Sequence, residues 1–275
     1  MTNRNSIGIV LINYFNDAEV IAFIRNYLSG DTRGKLQIYV LDNGTKDESL
    51  KSFCGSQDNL KYLNPGKNLG YIGGFLHVIK SMSQKPALMI LSNTDIEFDS
   101  SVLDGLGNFE MKEDEVMISP SVVSSRTDKK QNPFYEQRIS TSKLKMLEVV
   151  FSNYLTYSAY QILGILKAAG KGQAGKNILE NTRHVYAIHG SFMVFKTSFL
   201  EKYFYELQDA PFLFGEEIQF AEVALKHRLK TLYCPQFKVK HHEHATTKLF
   251  KSGKMLSMLK DSIAFRLKKR REEES

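Results

Sequence analysis

Apolar runs of strand length alternate with helical patterns through the first third of the chain. Each run is rich in valine, isoleucine and leucine and holds few charges, which is typical of buried strands. The strands are predicted at 6–13, 36–41, 60–63 and 87–91, and the helices between them at 17–28, 47–53 and 70–82. This alternation predicts an α/β fold whose mostly parallel sheet carries helices on both faces.

The alternation ends after Pro120, and regular patterns return only near residues 185–195. The stretch at about 130–180 is polar, then helix-like, then rich in glycine and lysine, which indicates a helical insertion. The tail places apolar residues at helical spacing and clusters cations near its end. We therefore expect one domain over 1–250, with the insertion inside it, followed by a basic amphipathic helix at 251–275.

Composition narrows the class of protein. The 275-residue chain is 42% hydrophobic, which is enough for a sizeable core and argues against general disorder. Its two cysteines, Cys54 and Cys234, form neither a metal-ligand pattern nor a disulfide framework, as expected in a reducing cytoplasm. The first residues do not match a signal peptide. The net charge of +7 suits nucleic acid, an anionic membrane or a phosphorylated substrate equally well.

Two segments raise the question of membrane contact. Residues 149–166 carry no charge but include several polar side chains. We favour a helix packed on the domain or on a second subunit, then an interfacial helix, and last a membrane span. The tail helix at 254–271 has an apolar stripe and a basic cluster that fit a membrane surface and internal packing about equally.

The most informative polar cluster follows the strand at 87–91. Residues 88–98 read LMILSNTDIEF, so Asp95 and Glu97 come just after an apolar run. Open α/β sheets bind ligands beyond the carboxyl ends of their strands, and carboxylates are ligands for Mg²⁺ and Mn²⁺. The segment predicts a metal–diphosphate site at the edge of the sheet. The alternative is a polar turn that caps a helix.

Polar and glycine-rich positions also follow the other predicted strands. Asn13, Asp42 and Asn43 come at strand ends, where side chains either hydrogen-bond a base or ribose or form ordinary turns. Residues 68–75 read NLGYIGGF, whose glycines let a backbone approach a ligand at a helix start. Right-handed crossovers place these positions and Asp95 along one edge of the sheet.

Two downstream clusters add candidate chemistry. Glu216 and Glu217 open a helical pattern after aromatic residues, either as a general base in a partly dry pocket or as ordinary acidic residues at a helix start. Residues 241–244 read HHEH after a predicted strand at 237–239, so one imidazole is placed to join Asp95 on a metal. This spacing matches no usual zinc motif, and a polar strand end is the alternative.

The order of these segments resembles the family 2 glycosyltransferases of the GT-A fold, especially their rhamnosyl- and galactofuranosyl-transferase-like branch. No single motif is specific, but seven occur in the same order. The matching segments are IVLINYFN at 9–16, LDNGT at 41–45, NLGYIGGF at 68–75, LSNTDIEF at 91–98, HGSFMVFK at 189–196, FLFGEEIQF at 212–220 and VKHHEHATT at 239–247.

The resemblance implies a role for each matched site residue. The donor nucleotide-sugar would be bound by Asn13, Tyr14, Asp42, Asn43, Asn68, Gly70, Gly73, Gly74, Asn93 and Asp95. A divalent metal, Mn²⁺ or Mg²⁺, would be held by Asp95 with His241 or His244. Glu217, with Glu216 beside it, would supply the catalytic base, and Gly190 and Ser191 would lie on the acceptor side.

The function implied by the resemblance is inverting transfer of a hexose or deoxyhexose from a nucleotide-diphosphate donor to a hydroxyl group. The acceptor would be a glycan or a lipid-linked glycan in cell-surface polysaccharide biosynthesis. The expected location is cytoplasmic, at the inner face of the cell membrane. The further partners expected are the membrane surface, through peripheral contact, or a second copy of the chain in a homodimer. Nucleic acid is not expected as a partner, because no aromatic–basic platform accompanies the basic tail.

Two other functions stay open at this point. A non-catalytic relative of the same fold would serve as a binding or scaffold subunit. A sugar nucleotidyltransferase would also use an α/β sheet, carboxylates and metal. Enzymes of that class require a glycine-rich, basic loop after the first strand, where this chain has Tyr14, Phe15 and Asn16.

Overall fold

A computed structural model describes residues 6–28, 36–44, 48–161, 181–209, 215–243 and 252–274. Its strands join into one sheet. They are β1 (Ile7–Asn13), β2 (Leu36–Asp42), β3 (Leu60–Leu63), β4 (Leu88–Ser92), β5 (Ile96–Phe98), β6 (Glu115–Ser124), β7 (Arg183–Val185), β8 (Phe192–Lys196) and β9 (Lys230–His241). Their order is β3-β2-β1-β4-β8-β6-β9-β5, with β7 paired to β9.

The strand order creates a switch point beside β1. Strands β1 to β4 run parallel, with β1 between β2 and β4, while β8 runs antiparallel to both β4 and β6. The chain moves outward from β1 to β3 and then crosses to β4 on the other side of β1. Open sheets bind ligands at such a reversal, beyond the carboxyl ends of the diverging strands. A ligand site is therefore expected between the ends of β1 and β4.

The described helices are α1 (Asp17–Phe23), α2 (Ser49–Gly55), α3 (Tyr71–Ser81), α4 (Ser101–Asn108), α5 (Thr141–Val150), α6 (154–161), α7 (Thr197–Lys202), α8 (Phe204–Leu207), α9 (Glu216–Lys226) and α10 (Ser252–Glu274). Helices α1, α2 and α4 pack on one face of the sheet, and α3, α7 and α9 pack on the other. Successive strand residues point to opposite faces. Ile9 and Leu11 accordingly join a core with α1, α2 and α4, and Val10 joins a second core with α3, α7 and α9. The predicted α/β class is confirmed.

Local departures from the predicted elements occur near the ends of segments. The predicted helix at 17–28 is α1 followed by a π-helical turn, Ile24–Leu28. The polar segment after β4 does not lead straight into a helix, because Ile96–Phe98 forms β5 and pairs with β9. This short edge strand escaped prediction because three residues carry too little periodicity to be distinguished from a turn.

The chain divides into two compact units. The larger comprises residues 1–137, 181–212 and 216–244, and the smaller comprises 138–180, 213–215 and 245–275. The strands of the described ranges all belong to the larger unit, and α5, α6 and α10 belong to the smaller. Residues 130–137, inside the predicted insertion, fold with the sheet, because Lys130 bridges to Val123 and Tyr135 to Ala187.

The tail helix packs inside the smaller unit. α10 packs against α5, and Ile263 and Leu267 of its apolar stripe are buried. Two of its cations are also mostly buried: Arg266 and Arg270, whose guanidinium donates to the Ile139 carbonyl over 2.8 Å. These observations favour internal packing over a membrane-facing stripe. Across the described ranges, no helix combines the length and the apolar character needed to span a bilayer.

Candidate active site

The carboxyl ends of β1 and β2 bring predicted nucleotide-binding side chains together. Asn13 lies opposite Asp42 in the parallel register. The Asn13 amide donates to Asp42 Oδ1 over 3.1 Å and to Asp17 Oδ1 over 2.7 Å, while its oxygen accepts the Asn16 N–H. Asn13 and Asp42 are each only 1% exposed. Their polar atoms therefore hold the carboxyl ends of β1 and β2 together.

Asp42 also binds a residue of the neighbouring strand β3. The Tyr62 hydroxyl donates to Asp42 Oδ2 over 2.7 Å, and the Gly44 N–H donates to Oδ1 over 3.2 Å. Burial, together with the hydrogen bond to the carboxylate, raises the pKa of Tyr62 to about 12. The phenol keeps its proton at neutral pH and remains a donor to Asp42.

Asn43 attaches the glycine-rich segment to the end of β2. Its Nδ2 donates to the Gly70 carbonyl over 2.9 Å, and its Oδ1 accepts the Leu69 N–H over 3.0 Å. Asn68 Oδ1 accepts the Gly70 N–H over 2.8 Å. Gly70 has φ 74°, a left-handed conformation that glycine adopts without strain. These bonds set the direction in which the chain enters α3.

Gly74 allows α3 to approach the strand ends closely. A Cβ at this position would lie 2.5 Å from Leu41 Cδ2 and 3.1 Å from Ile12 Cδ1. Gly73 is under no such restriction, since a Cβ there would lie 3.6 Å from Leu69 Cβ. The N-terminus of α3 therefore lies against β1 and β2, and its backbone N–H groups favour a bound anion.

The ends of β1 and β2 and the start of α3 form a corner, and two exposed aromatic side chains border it. Tyr14 is 44% and Phe15 63% exposed, and their ring centroids lie 4.7 Å apart in an edge-on arrangement. A Cβ on Gly44 would lie 3.1 Å from the Phe15 ring. Phe15 has φ 57°, a strained left-handed conformation for a bulky residue. Exposed rings at a strand end are well placed to stack on a nucleobase.

The turn after β4 places Asp95 against β9. The pairing of β5 with β9 sets Ile96 opposite His241, and the His242 N–H donates to the Asp95 carbonyl over 2.8 Å. Asp95 Oδ1 then lies 3.3 Å from His241 Nε2, and these side chains are only 8% and 10% exposed. Two residues that are far apart in sequence thus form one buried pair at the sheet edge.

The Asp95–His241 pair fits part of a divalent-metal site. Two atoms bound side by side to an octahedral ion at about 2.1 Å lie about 3.0 Å apart, close to the separation seen here. His241 Nδ1 lies 2.8 Å from Gln131 Oε1, and a partner on the other ring nitrogen is what orients metal-binding histidines.

The described residues contain no cluster of three histidine, cysteine or acidic side chains that could hold a metal alone. Mg²⁺ often has one or two carboxylates and completes its coordination with substrate phosphates and water. Two protein ligands are therefore enough for a metal ion whose remaining coordination positions are filled by a bound diphosphate and water. His244, the other predicted ligand, lies outside the described residues.

The predicted acceptor-side residues lie next to this pair. Gly190 and Ser191 come just before β8, and the Ser191 carbonyl accepts the Asn93 N–H over 2.8 Å. Asn93 belongs to the same turn as Asp95. The segment at 189–191 is thereby fixed beside the candidate metal ligands.

His189 adds an imidazole that the sequence did not single out. Its ring lies edge-on to that of His241, with centroids 5.6 Å apart, and its Nδ1 accepts the Ser191 N–H over 3.2 Å. The His189 N–H donates to Asn132 Oδ1 over 2.6 Å. Burial, and then the neighbouring His241, lowers the pKa of His189 to about 4, so its ring is neutral at pH 7.

The lowered pKa of His189 predicts a loss of stability in acid. Between its ordinary pKa of 6.5 and about 4, the unfolded chain binds a proton that the native chain does not, so stability falls as the pH drops through this window. The full effect is about 3 kcal/mol. His189→Asn keeps an acceptor for Ser191 and removes the titration. Urea unfolding should show a shallower acid-side decline for the variant, whereas equal declines would contradict this origin.

Glu217 approaches the 189–191 segment at Gly190. A Cβ built on Gly190 would lie 3.9 Å from Glu217 Oε2. The Gly190 carbonyl accepts the Tyr71 hydroxyl over 3.1 Å, which ties this stretch to the start of α3. Glu216 is the first residue of α9, and its side chain lies outside the described residues.

These contacts join the two predicted reactive groups through one short segment. Glu217 approaches the segment at Gly190, and Asp95 is linked to it by Asn93 and by the His189–His241 contact. Asp95 and Glu217 are therefore both connected to residues 189–191 of the larger unit.

Sequence analysis missed Tyr62, Gln131 and His189 among the residues that support this edge. Tyr62 lies in β3, the strand paired to β2, so the strand order would have pointed to it. Gln131 and His189 carried no local signal, because their roles depend on long-range contacts to β9.

Comparison with known proteins supports the architecture. No protein-family model matches the sequence. The chain is 23% identical over 256 residues to the low-salt glycan biosynthesis hexosyltransferase Agl10 of Haloferax volcanii, covering 92% of this chain and 72% of Agl10.

Solved structures resemble the chain at lower identity. Residues 1–349 of S. aureus TarS, solved with UDP-GlcNAc, superpose with a TM-score of 0.58 at 11% identity, covering 94% of this chain and 65% of that TarS chain. The mannosyltransferase PcManGT of Pyrobaculum calidifontis, with GDP-Man and Mn²⁺, gives 0.56 at 10% identity, covering 96% of this chain and 69% of PcManGT. The fold is that of the GT-A glycosyltransferases. This chain spans slightly less than two thirds of the solved TarS chain, and at such identities the similarity establishes the GT-A fold alone.

Proposed function

We propose that the protein is an inverting glycosyltransferase that uses a nucleotide-sugar donor and a divalent metal. The observation that carries this proposal is the placement of the Asp95–His241 pair and the Glu217 carboxylate on one sheet edge, around residues 189–191. The class of substrate is supported by the relatives, since Agl10 is a hexosyltransferase and TarS and PcManGT were solved with nucleotide sugars.

Glu217 is the general base of the proposed reaction. Its carboxylate takes the proton of the acceptor hydroxyl as that oxygen attacks the anomeric carbon of the donor sugar. The bond from the anomeric carbon to the phosphate oxygen breaks, and the nucleoside diphosphate leaves with its electron pair. One in-line displacement inverts the anomeric configuration. Asp95 and His241 would hold a divalent metal, which would supply positive charge to offset that of the leaving diphosphate.

The donor occupies the corner between β1, β2 and α3. Tyr14 and Phe15 offer exposed ring faces to the base. The N-terminus of α3, reached through the turn at Gly70, offers N–H groups to the phosphates. Asn13 and Asp42 support this corner through their buried hydrogen bonds.

The sugar and acceptor follow from the resemblance rather than from the geometry. A hexose or deoxyhexose donor is proposed, and rhamnosyl and galactofuranosyl donors are the first to test. The proposed acceptor is a hydroxyl of a glycan or lipid-linked glycan, with a role in cell-surface polysaccharide assembly.

A panel of UDP-, GDP- and dTDP-sugars tests the proposed activity. Incubation with Mn²⁺ should release nucleoside diphosphate slowly from at least one donor, even with water as acceptor, and a chelator should stop the release. The same donor should raise the melting temperature, because a ligand that binds the native state stabilises it. No release and no stabilisation by any donor would refute the proposal. Release of pyrophosphate from a nucleoside triphosphate and a sugar phosphate would point instead to a nucleotidyltransferase.

We also propose that an apolar face of the smaller unit contacts an anionic membrane, where a lipid-linked acceptor would be presented. Val149 and Leu155, on either side of the turn between α5 and α6, are 65% and 80% exposed. Lys143 and Lys145 of α5 are exposed as well. Apolar side chains beside cations suit the surface of an anionic bilayer.

Point substitutions test this surface without removing α10, whose stripe is buried in the smaller unit. The Val149→Ser/Leu155→Ser variant should co-sediment less with vesicles that contain anionic lipid, because it loses the apolar insertion. Tyr205→Ser is the matched control, since Tyr205 is 82% exposed and lies in the larger unit. Equal binding of wild type and double variant would contradict the proposal, and loss of a dimer in the double variant would assign the face to a second copy.

A further inference from the structure

A chain of side-chain contacts runs from the surface to the candidate metal ligands. Arg126 Nε donates to Glu243 Oε2 over 3.0 Å, and Gln131 Nε2 donates to Glu243 Oε1 over 2.6 Å. Gln131 Oε1 then lies 2.8 Å from His241 Nδ1, and His241 Nε2 lies 3.3 Å from Asp95 Oδ1. All five residues belong to the larger unit.

The chemistry of these groups fixes the direction of each hydrogen bond. Glu243, paired with Arg126, is a carboxylate and only accepts, so the NH₂ end of the Gln131 amide must face it. The opposite end of the amide is a carbonyl oxygen, which also only accepts. His241 Nδ1 must therefore carry a proton.

This assignment determines what His241 presents to Asp95. A neutral imidazole has one N–H, and with the proton on Nδ1 the Nε2 atom presents a lone pair. A lone pair and a carboxylate oxygen 3.3 Å apart repel each other and together attract a cation. In the opposite tautomer Nε2–H would donate to Asp95, and both ligand atoms would be occupied by each other.

We propose that Gln131 is a positioning residue that holds His241 in the metal-binding tautomer and so keeps the Asp95–His241 pair open. The proposal rests on the proposed function, because it assigns this pair to a divalent metal. Gln131 is itself fixed by the sheet, since its N–H donates to the Val122 carbonyl of β6 over 2.8 Å. Arg126 and Glu243 act one step further out by fixing which end of the amide faces the ring.

Gln131→Leu tests this role, because leucine fills similar space and accepts no hydrogen bond. In the metal-free protein, above the titration range of imidazole, ¹⁵N NMR should place the His241 proton on Nδ1 in the wild type and on Nε2 in the variant. Mn²⁺ affinity, followed by electron paramagnetic resonance with UDP, GDP or dTDP present, should fall about 10–100-fold, as for other partners of metal-binding histidines. Lys129→Ala, an exposed change in the same loop, should alter neither quantity.

Arg126→Ala keeps the test usable if Gln131→Leu folds poorly, because the Arg126 side chain is 70% exposed. It should shift the tautomer and the Mn²⁺ affinity in the same direction by a smaller factor. A wild-type His241 proton on Nε2, or unchanged tautomer and affinity in the variants, would overturn the assignment. A wild type that fails to bind Mn²⁺ with UDP, GDP and dTDP alike would refute the proposed function, while the NMR result would still decide the tautomer.

Discussion

Glu217→Gln is expected to lower the rate of sugar transfer about 10²–10⁴-fold, the range that a positioned general base contributes. The amide keeps the shape of the side chain but takes up no proton at neutral pH, so the acceptor oxygen would attack with its proton still attached. Donor affinity should stay near that of the wild type, since the donor corner and the Asp95–His241 pair keep their own contacts. The measurements are the initial rate of nucleoside diphosphate release and the nucleotide affinity by calorimetry.

The neighbouring carboxylate provides the matched control. Glu216→Gln makes the same chemical change one residue earlier in α9 and should retain most of the activity. If Glu216→Gln loses the activity and Glu217→Gln keeps it, the base is Glu216. Full transfer activity in both variants would remove the base role from this helix start.

Asp95→Ala is expected to weaken Mn²⁺-dependent nucleotide binding by more than about a hundredfold. Removing a residue that binds the metal directly should lower the metal affinity by more than the 10–100-fold that is typical of residues that only support such a ligand. The variant leaves His241 as the one described protein ligand, so phosphate contacts alone would have to retain the ion. Calorimetric titration of nucleoside diphosphate with and without Mn²⁺ measures the effect.

Glu97→Ala separates a specific role of Asp95 from general loss of negative charge. Glu97 lies two residues away in β5, where its carboxylate contacts His242 at 3.1 Å and Lys240 at 3.6 Å. Its removal should leave the Mn²⁺-dependent affinity near that of the wild type. Equal affinity losses in the two variants would show that the metal is not localised at Asp95.

The sequence predicted the residues at the sheet edge because their positions depend on local patterns and on parallel topology. Asn13 and Asp42 each end an apolar run, and parallel pairing of those runs places them opposite one another. That inference needed only strand ends and a direction of crossing. The approach of His241 to Asp95 was implied by the family resemblance, and in the structure it depends on the pairing of β5 with β9.

What the sequence could not supply was the set of partners that each side chain finds. The hydrogen bonds of Asn43 to Leu69 and Gly70 show that it fixes the turn, whereas its position in the sequence fitted a turn and a ligand contact alike. Arg266 and Arg270 belong to an apparently solvated basic cluster, yet the packing of α10 buries them. Such outcomes depend on contacts between distant segments, which periodicity does not encode.

The most direct test of the account is the position of the metal itself. Crystals grown with Mn²⁺ and a nucleoside diphosphate should show an anomalous manganese peak about 2.0–2.3 Å from both Asp95 Oδ1 and His241 Nε2, with diphosphate oxygens completing the coordination. The Glu217 carboxylate should face the same site without touching the ion. A manganese peak away from Asp95, or nucleotide bound at full affinity without any metal at this pair, would contradict the account.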